Sequence, residues 1–247
     1  MEINKAHFFN VIYQVTLEQH ERYNIGTYKE KKLHIILKRY FENDTLYHEI
    51  PTNGFIADIN RDGCITEIET SGFSGLRQKL AAYLPEYKVN LVYPIAGIKY
   101  ISWIAPESNS ISKRRRSSKK ANIYDVLFEM VRILPYVNNK NLTVIAAILE
   151  IDEYRLLNGW STDRKKGSSR YERVPTDFLD IIELSTDNDY RRYIPDSCKP
   201  EFTIVEFAKA AKILRNRAYA VVKVFEKRGI VKMIEKRGRT HVYRICE

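Results

Sequence analysis

The chain has 247 residues, 44% of them hydrophobic and only 10 Gly and 8 Pro, so it can bury a substantial core and is not a disordered polymer. No run approaches the roughly 18 consecutive apolar residues that a membrane helix needs, and Met1 to Lys5 lacks the layout of a secretory signal, so a cytoplasmic protein is expected. Three scattered cysteines, Cys64, Cys198 and Cys246, argue against both a disulfide framework and a cysteine-based zinc site.

The net charge of +10 is unevenly spread. Lys and Arg against Asp and Glu count 12 to 13 in residues 1–112, 17 to 13 in 113–200, and 12 to 5 in the last 47. A basic tail on a balanced body suggests a polyanion partner, although plain solubility would leave the same trace.

In chain order, residues 3–24 have helical spacing at Phe8, Ile12, Val15 and Leu17. Thr27 can cap a second helix running to Phe41, with Glu30 completing a capping box. Short strand-like runs follow at 47–50, 54–59 and 64–70, the last two joined by turn residues Asp62-Gly63. Residues 73–84 form an amphipathic helix ended by Pro85. Val89 to Pro94 reads as a buried strand, and Tyr100 to Ile104 as a further one. A helix linking two strands is a crossover, so a mixed sheet with at least one parallel pair is expected. Residues 105–121 read as a loop carrying a basic run at 113–120, and 122–134 as a helix. The apolar run at 142–157 suits strand better than helix. A second basic loop at 164–170 precedes a short helix from Thr176, and Pro195 and Pro200 bracket a linker.

Four acidic residues fall into one layout. Glu30 lies in the helix before the sheet, Asp58 near the end of a hydrophobic strand, and Glu67 and Glu69 two apart on the next strand. The strand period of two puts Glu67 and Glu69 on one face, and the Asp62-Gly63 hairpin brings Asp58 beside them. Converging carboxylates repel unless a cation is present, and hard oxygen donors suit Mg²⁺ or Mn²⁺. Taken singly, Glu30 is explained as a capping residue, and Glu67 and Glu69 as the solvated face of a half-exposed strand.

The joint order resembles the PD-(D/E)xK, restriction-endonuclease-like superfamily. The stretches EKKLH, GFIADI, ITEIETSGFSGLRQKL and VNLVYPI look like a largely uncharacterised bacterial family placed there, over residues 25 to 245 and weakest in the middle. The resemblance implies a mixed α/β core flanked by helices. It also implies that Asp58 and Glu67 bind metal and that Glu30 holds a metal or its water; Glu69 is expected to position or deprotonate that water. Glu69 stands where the signature has Lys, a departure that some enzymes of the class share. Lys79, on the flank of the next helix, is the candidate for a migrated lysine; its other reading is a surface lysine.

Residues 201–247 read as a winged helix-turn-helix. Thr203 caps one helix, a second runs from Asn216 to Arg228, Gly229 ends it, and a hairpin has its tip at Lys236 to Arg239. A winged helix can also serve protein contacts, but the basic excess favours nucleic acid. The expected architecture is therefore a nuclease-like domain over 1–200 and a winged helix over 201–247. The expected function is a metal-dependent nuclease acting on DNA before RNA, with a homodimer as a further expectation. The alternative is a nucleic-acid-binding regulator that kept the fold and lost the chemistry. Nucleic-acid contacts are expected from Arg114, Arg115, Arg116, Arg164, Lys165, Lys166, Arg215, Arg217, Lys223, Lys236, Arg237 and Arg239.

Overall fold

The computed structural model describes residues 1–22, 31–108, 110–118, 121–160 and 166–246. The elements are α1 (Lys5–Arg22), α2 (Lys32–Phe41), β1 (His48–Thr52), β2 (Phe55–Arg61), β3 (Cys64–Ile68), α3 (Leu76–Tyr83), β4 (Lys88–Ile104), β5 (Arg115–Arg116), α4 (Ile123–Met130), β6 (Leu142–Trp160), β7 (Lys166–Leu184), α5 (Asp187–Arg191), β8 (Glu201–Thr203), α6 (Ile204–Ala210), α7 (Arg215–Lys227), β9 (Val231–Arg237) and β10 (Thr240–Ile245). They form a mixed α+β structure. One sheet has the order β1-β2-β3-β4-β6-β7 with β5 on β4, and a second, smaller sheet has the order β8-β10-β9. Among the described residues no helix is long and apolar enough to cross a membrane.

The chain divides into two compact units. The first comprises residues 1–49, 94–121 and 147–182. Its core includes a cluster of three rings, Phe8 of α1, Tyr40 of α2 and Phe178 of β7, with centroids 5.0–5.4 Å apart. The ion pairs Lys5–Asp177 (2.9 Å) and Arg39–Glu18 (2.7 Å) border it. The second unit comprises residues 50–93, 122–146 and 183–247. There β2 and β3 form an antiparallel hairpin, and α3 carries the chain across to β4, which pairs parallel to β3 with Glu67 opposite Leu91. Asp62 and Gly63 both take positive φ (50° and 76°), the backbone that a two-residue hairpin turn requires.

The tail segment of that unit packs α6 and α7 against the sheet β8-β10-β9 and α7 against α4. Thr203 and Glu206 make a reciprocal capping box at the start of α6, and Gly229 (φ 74°) ends α7. Phe207 meets Phe225 of α7 and Phe202 of β8 with ring centroids 6.1 and 5.6 Å apart.

Several local expectations change. The runs at 89–94 and 100–104 belong to one strand, β4, because the Gly97 backbone continues the extended path close to Ile148 where a Cβ would sit 2.7 Å from its Cγ2. No helix starts at Thr176; residues 166–184 are strand β7 beside β6. Val174, Thr176, Ile181 and Ile182 favour extended backbone, and Pro175 is tolerated because β7 ends the strand order. The basic run at 113–120 is not all loop, since Arg115 and Arg116 pair with Ile101 and Tyr100. Helix α2 begins after Lys31, which makes no side-chain cap, while Thr27 and Glu30 lie outside the described residues.

Between β3 and α3 the chain passes Gly72 at φ 139°, where an added Cβ would lie 2.7 Å from Glu129 Oε2. The same oxygen accepts the Phe73 amide at 3.3 Å and Arg132 Nε at 2.9 Å. Gly72→Ala should therefore lower stability by about 1–3 kcal/mol in urea unfolding, from backbone strain plus the clash. Parental stability in that variant would show that this loop is not held as described.

Candidate active site

Asp58, Glu67 and Lys79 come together because three elements meet in the second unit. The β2–β3 register pairs Ile59 with Thr66; one step further along, Asp58 falls opposite Glu67 on the same sheet face. The Asp58 carboxylate Oδ2 accepts the Ile68 amide at 2.7 Å. Glu69 follows the end of β3, its amide bonded to the Val92 carbonyl at 2.9 Å, so its side chain keeps the parity of Glu67.

Helix α3 buries Leu76, Leu80 and Tyr83 against the core, which turns Lys79 along the helix flank. Its Nζ donates to Glu67 Oε2 at 2.7 Å and to the Ile56 carbonyl at 2.9 Å. Glu67 is 1% exposed, and among the described residues its Oε1 has no hydrogen-bond partner. An orphaned, fully buried carboxylate oxygen costs free energy unless something binds it.

Burial, then the neighbouring Asp58 charge, pushes the Glu67 carboxyl up to about 7; Lys79 opposes this and Glu69 adds to it. The three carboxylates thus share one electrostatic neighbourhood, the arrangement expected from the Glu67-Ile68-Glu69 spacing. Tyr83 joins them, a residue that sequence reasoning missed. Its hydroxyl is buried with no partner among the described residues, and burial with the Glu67 and Asp58 charges pushes its pKa up. Its position one helical turn after Lys79 was the available signal.

The expected nucleic-acid residues divide by local partner. Arg114 pairs with Glu150 and Asp152 at 2.9 and 2.7 Å and lies 3.4 Å over the Tyr100 ring. Arg115 and Arg116 are exposed on β5, Lys166 opens β7, and Arg164 and Lys165 lie outside the described residues. Arg217 is held by Asp125 and sits 5.3 Å over Phe128, Lys223 bonds Glu226 at 2.6 Å, and Arg237 pairs with Glu235. Lys236 is exposed on β9. Arg215 and Arg239 line an open cleft of about 660 Å³ with Tyr219 and His241.

The family described as "Domain of unknown function (DUF8091)" matches residues 31–185, more than half of the chain. The chain belongs to that family. The DUF8091 region contains Asp58, Glu67, Glu69 and Lys79 and stops short of the tail sheet and its helices. An "Uncharacterized protein" of Treponema pallidum (strain Nichols) is 26% identical over 227 residues, spanning 89% of this chain and 87% of its own length. That similarity therefore extends well beyond the DUF8091 region. No solved structure matches the chain.

The Glu67 shift sets a pH dependence. The folded protein holds this proton more tightly than the unfolded chain, whose ordinary value is 4.5. The ionisation penalty is therefore absent below that value and grows as pH rises through about 7. In chelator, stability should decline by roughly 3 kcal/mol across this window, and Glu67→Gln should remove most of the decline. A decline in the variant as steep as the parent's would assign it to other groups.

Proposed function

We propose that this DUF8091 protein is a Mg²⁺- or Mn²⁺-dependent nuclease of the restriction-endonuclease-like kind. It acts on DNA, and residues 201–247 form a winged helix that grips the substrate. One observation carries the reading: buried Glu67 bonds Lys79 through one oxygen, leaves the other without a partner among the described residues, and lies beside Asp58 and Glu69.

A divalent metal fits these residues. The orphaned Oε1 is a hard donor removed from water, and the mutual repulsion of Asp58, Glu67 and Glu69 is relieved by a cation. Asp58 and Glu67 would hold it. Bound there, the metal supplies Lewis acidity toward phosphoryl oxygens. The chain supplies the rest. The Glu69 carboxylate accepts a proton from the water that attacks phosphorus, the ester P–O bond breaks with its oxygen taking a proton from solvent, and the Lys79 ammonium offsets negative charge growing on the phosphoryl oxygens. Lys79 thereby provides the cation that the signature would place at position 69. The low exposure around Glu67 strengthens each of these interactions relative to open solvent.

On this reading the tail grips the phosphate backbone, through the cleft residues Arg215 and Arg239 together with Lys236. Arg217, already held by Asp125, secures α7 to α4.

Incubation with plasmid, single-stranded DNA and RNA in Mg²⁺ or Mn²⁺ tests the activity. Asp58→Asn and Glu67→Gln should reduce cleavage to background while retaining binding, and Lys79→Gln should slow it roughly 10²–10³-fold. Binding by the parent without cleavage of any substrate would favour the non-catalytic regulator instead.

The tail has its own test. Neutralising Arg215 and Arg239 together should flatten the slope of log affinity against log salt by about 0.9 for each phosphate left unneutralised, whereas Arg217→Gln should leave the slope near parental. An unchanged slope in the Arg215/Arg239 variant would point this segment toward protein partners.

A further inference from the structure

The first unit holds a buried charge cluster that the reading above does not use. Glu153 of β6 is 2% exposed. Arg155 Nε donates to its Oε1 at 2.6 Å. Lys99 Nζ of β4 and Arg170 Nε of β7 stand 3.5 and 3.6 Å from its Oε2, at or beyond the reach of a good hydrogen bond. One carboxylate therefore organises three cations, bonds closely to one of them, and among the described residues leaves most donors of the other two unspent. Burial lowers the Lys99 pKa, and the Arg155 and Arg170 charges add to that effect against Glu153. Cations crowded in this way gain from a second anion.

The two faces of these strands are charged differently. On the face of Tyr100, Arg114 meets two carboxylates, Glu150 and Asp152. The face of Lys99 carries three cations around one carboxylate, and Arg115, the strand partner of Ile101, projects on that same side two residues along. Of the two, the Lys99 face carries the excess of positive charge.

We propose that Lys99, Arg155 and Arg170, held in place by Glu153, form a phosphate-binding subsite for the backbone of a nucleic acid. The polynucleotide part rests on the nuclease reading; the phosphate chemistry rests on the cluster. Guanidinium groups fixed by a buried carboxylate present their remaining N–H donors in a set direction, which suits the paired oxygens of a phosphodiester. Glu153 acts as the template, and its burial prevents it from swinging out to compete with the ligand.

The test uses the full chain in chelator with two probes, a labelled oligonucleotide titrated at several salt concentrations and tripolyphosphate followed by thermal shift. Lys99→Gln/Arg170→Gln is compared with the parent. Arg170→Gln alone, at a side chain 54% exposed, keeps the test open if the double variant does not fold. The proposal expects the parent to be stabilised by tripolyphosphate, both variants to lose that shift, and the salt slope to fall by about 0.7–0.9 for each phosphate left unneutralised. If the parent binds tripolyphosphate but no oligonucleotide, and the variants lose the shift, the subsite stands and the nucleic-acid reading falls. If the oligonucleotide binds with unchanged slope in both variants and the tripolyphosphate shift persists, the subsite is overturned while the nuclease reading survives. A parent that responds to neither probe overturns both.

Discussion

A carboxylate withdrawn from water has to be compensated, and much of the second unit is arranged around that demand at Glu67. Parallel pairing of β3 with β4 buries Glu67, and the hairpin through Asp62 and Gly63 puts Asp58 across from it. The return helix α3 then decides whether the burial is tolerable. Its apolar stripe of Leu76, Leu80 and Tyr83 fixes the helix rotation, and that rotation leaves Lys79 on the flank with a stem long enough to reach Oε2. One oxygen is satisfied and, among the described residues, the other is not.

The loop into α3 shares in this control. Glu129 gathers the Phe73 amide and the Arg132 guanidinium at a place where only glycine fits the backbone of residue 72. That anchoring sets where α3 begins and hence where Lys79 ends. The DUF8091 match contains the whole of this arrangement, from β2 through α4, so the site belongs to the family region and not to the tail.

Net charge and available charge differ in this molecule. The last 47 residues hold 12 Lys and Arg against 5 Asp and Glu, yet Arg217, Lys223 and Arg237 all have carboxylate partners. The serial run Arg114-Arg115-Arg116 also divides, because strand alternation sends Arg114 to the acidic face and Arg115 to the basic one. By contrast Lys99, Arg155 and Arg170 are scattered through the sequence and gathered by one buried glutamate. Exposed ion pairs contribute little to stability, but they decide which cations a polyanion meets first.

Local chemistry made much of this legible in the sequence alone. Asp-Gly named the β2–β3 turn, alternation placed Glu67 and Glu69 on one face, Thr203 named the α6 cap, and the helix between two strands required a parallel pair. Each depends on residues within one element or one turn of each other. The helix phase of α3 even put Lys79 on the correct flank. What depended on distant partners had to wait for the tertiary structure. Residues 176–184 are strand because β6 supplies the hydrogen bonds that confirm the extended preference of Thr176, Ile181 and Ile182, and β4 runs on through Gly97 close to Ile148. Tyr83 drew no reading from the sequence, and only the packing of α3 brings its buried hydroxyl into the neighbourhood of Glu67 and Asp58. The Glu153 cluster left no sequence signal, since its four members lie on three strands and only sheet pairing brings them within reach. Periodicity fixes the face on which a side chain stands; which charge waits there is decided by the strand or helix that arrives from elsewhere in the chain.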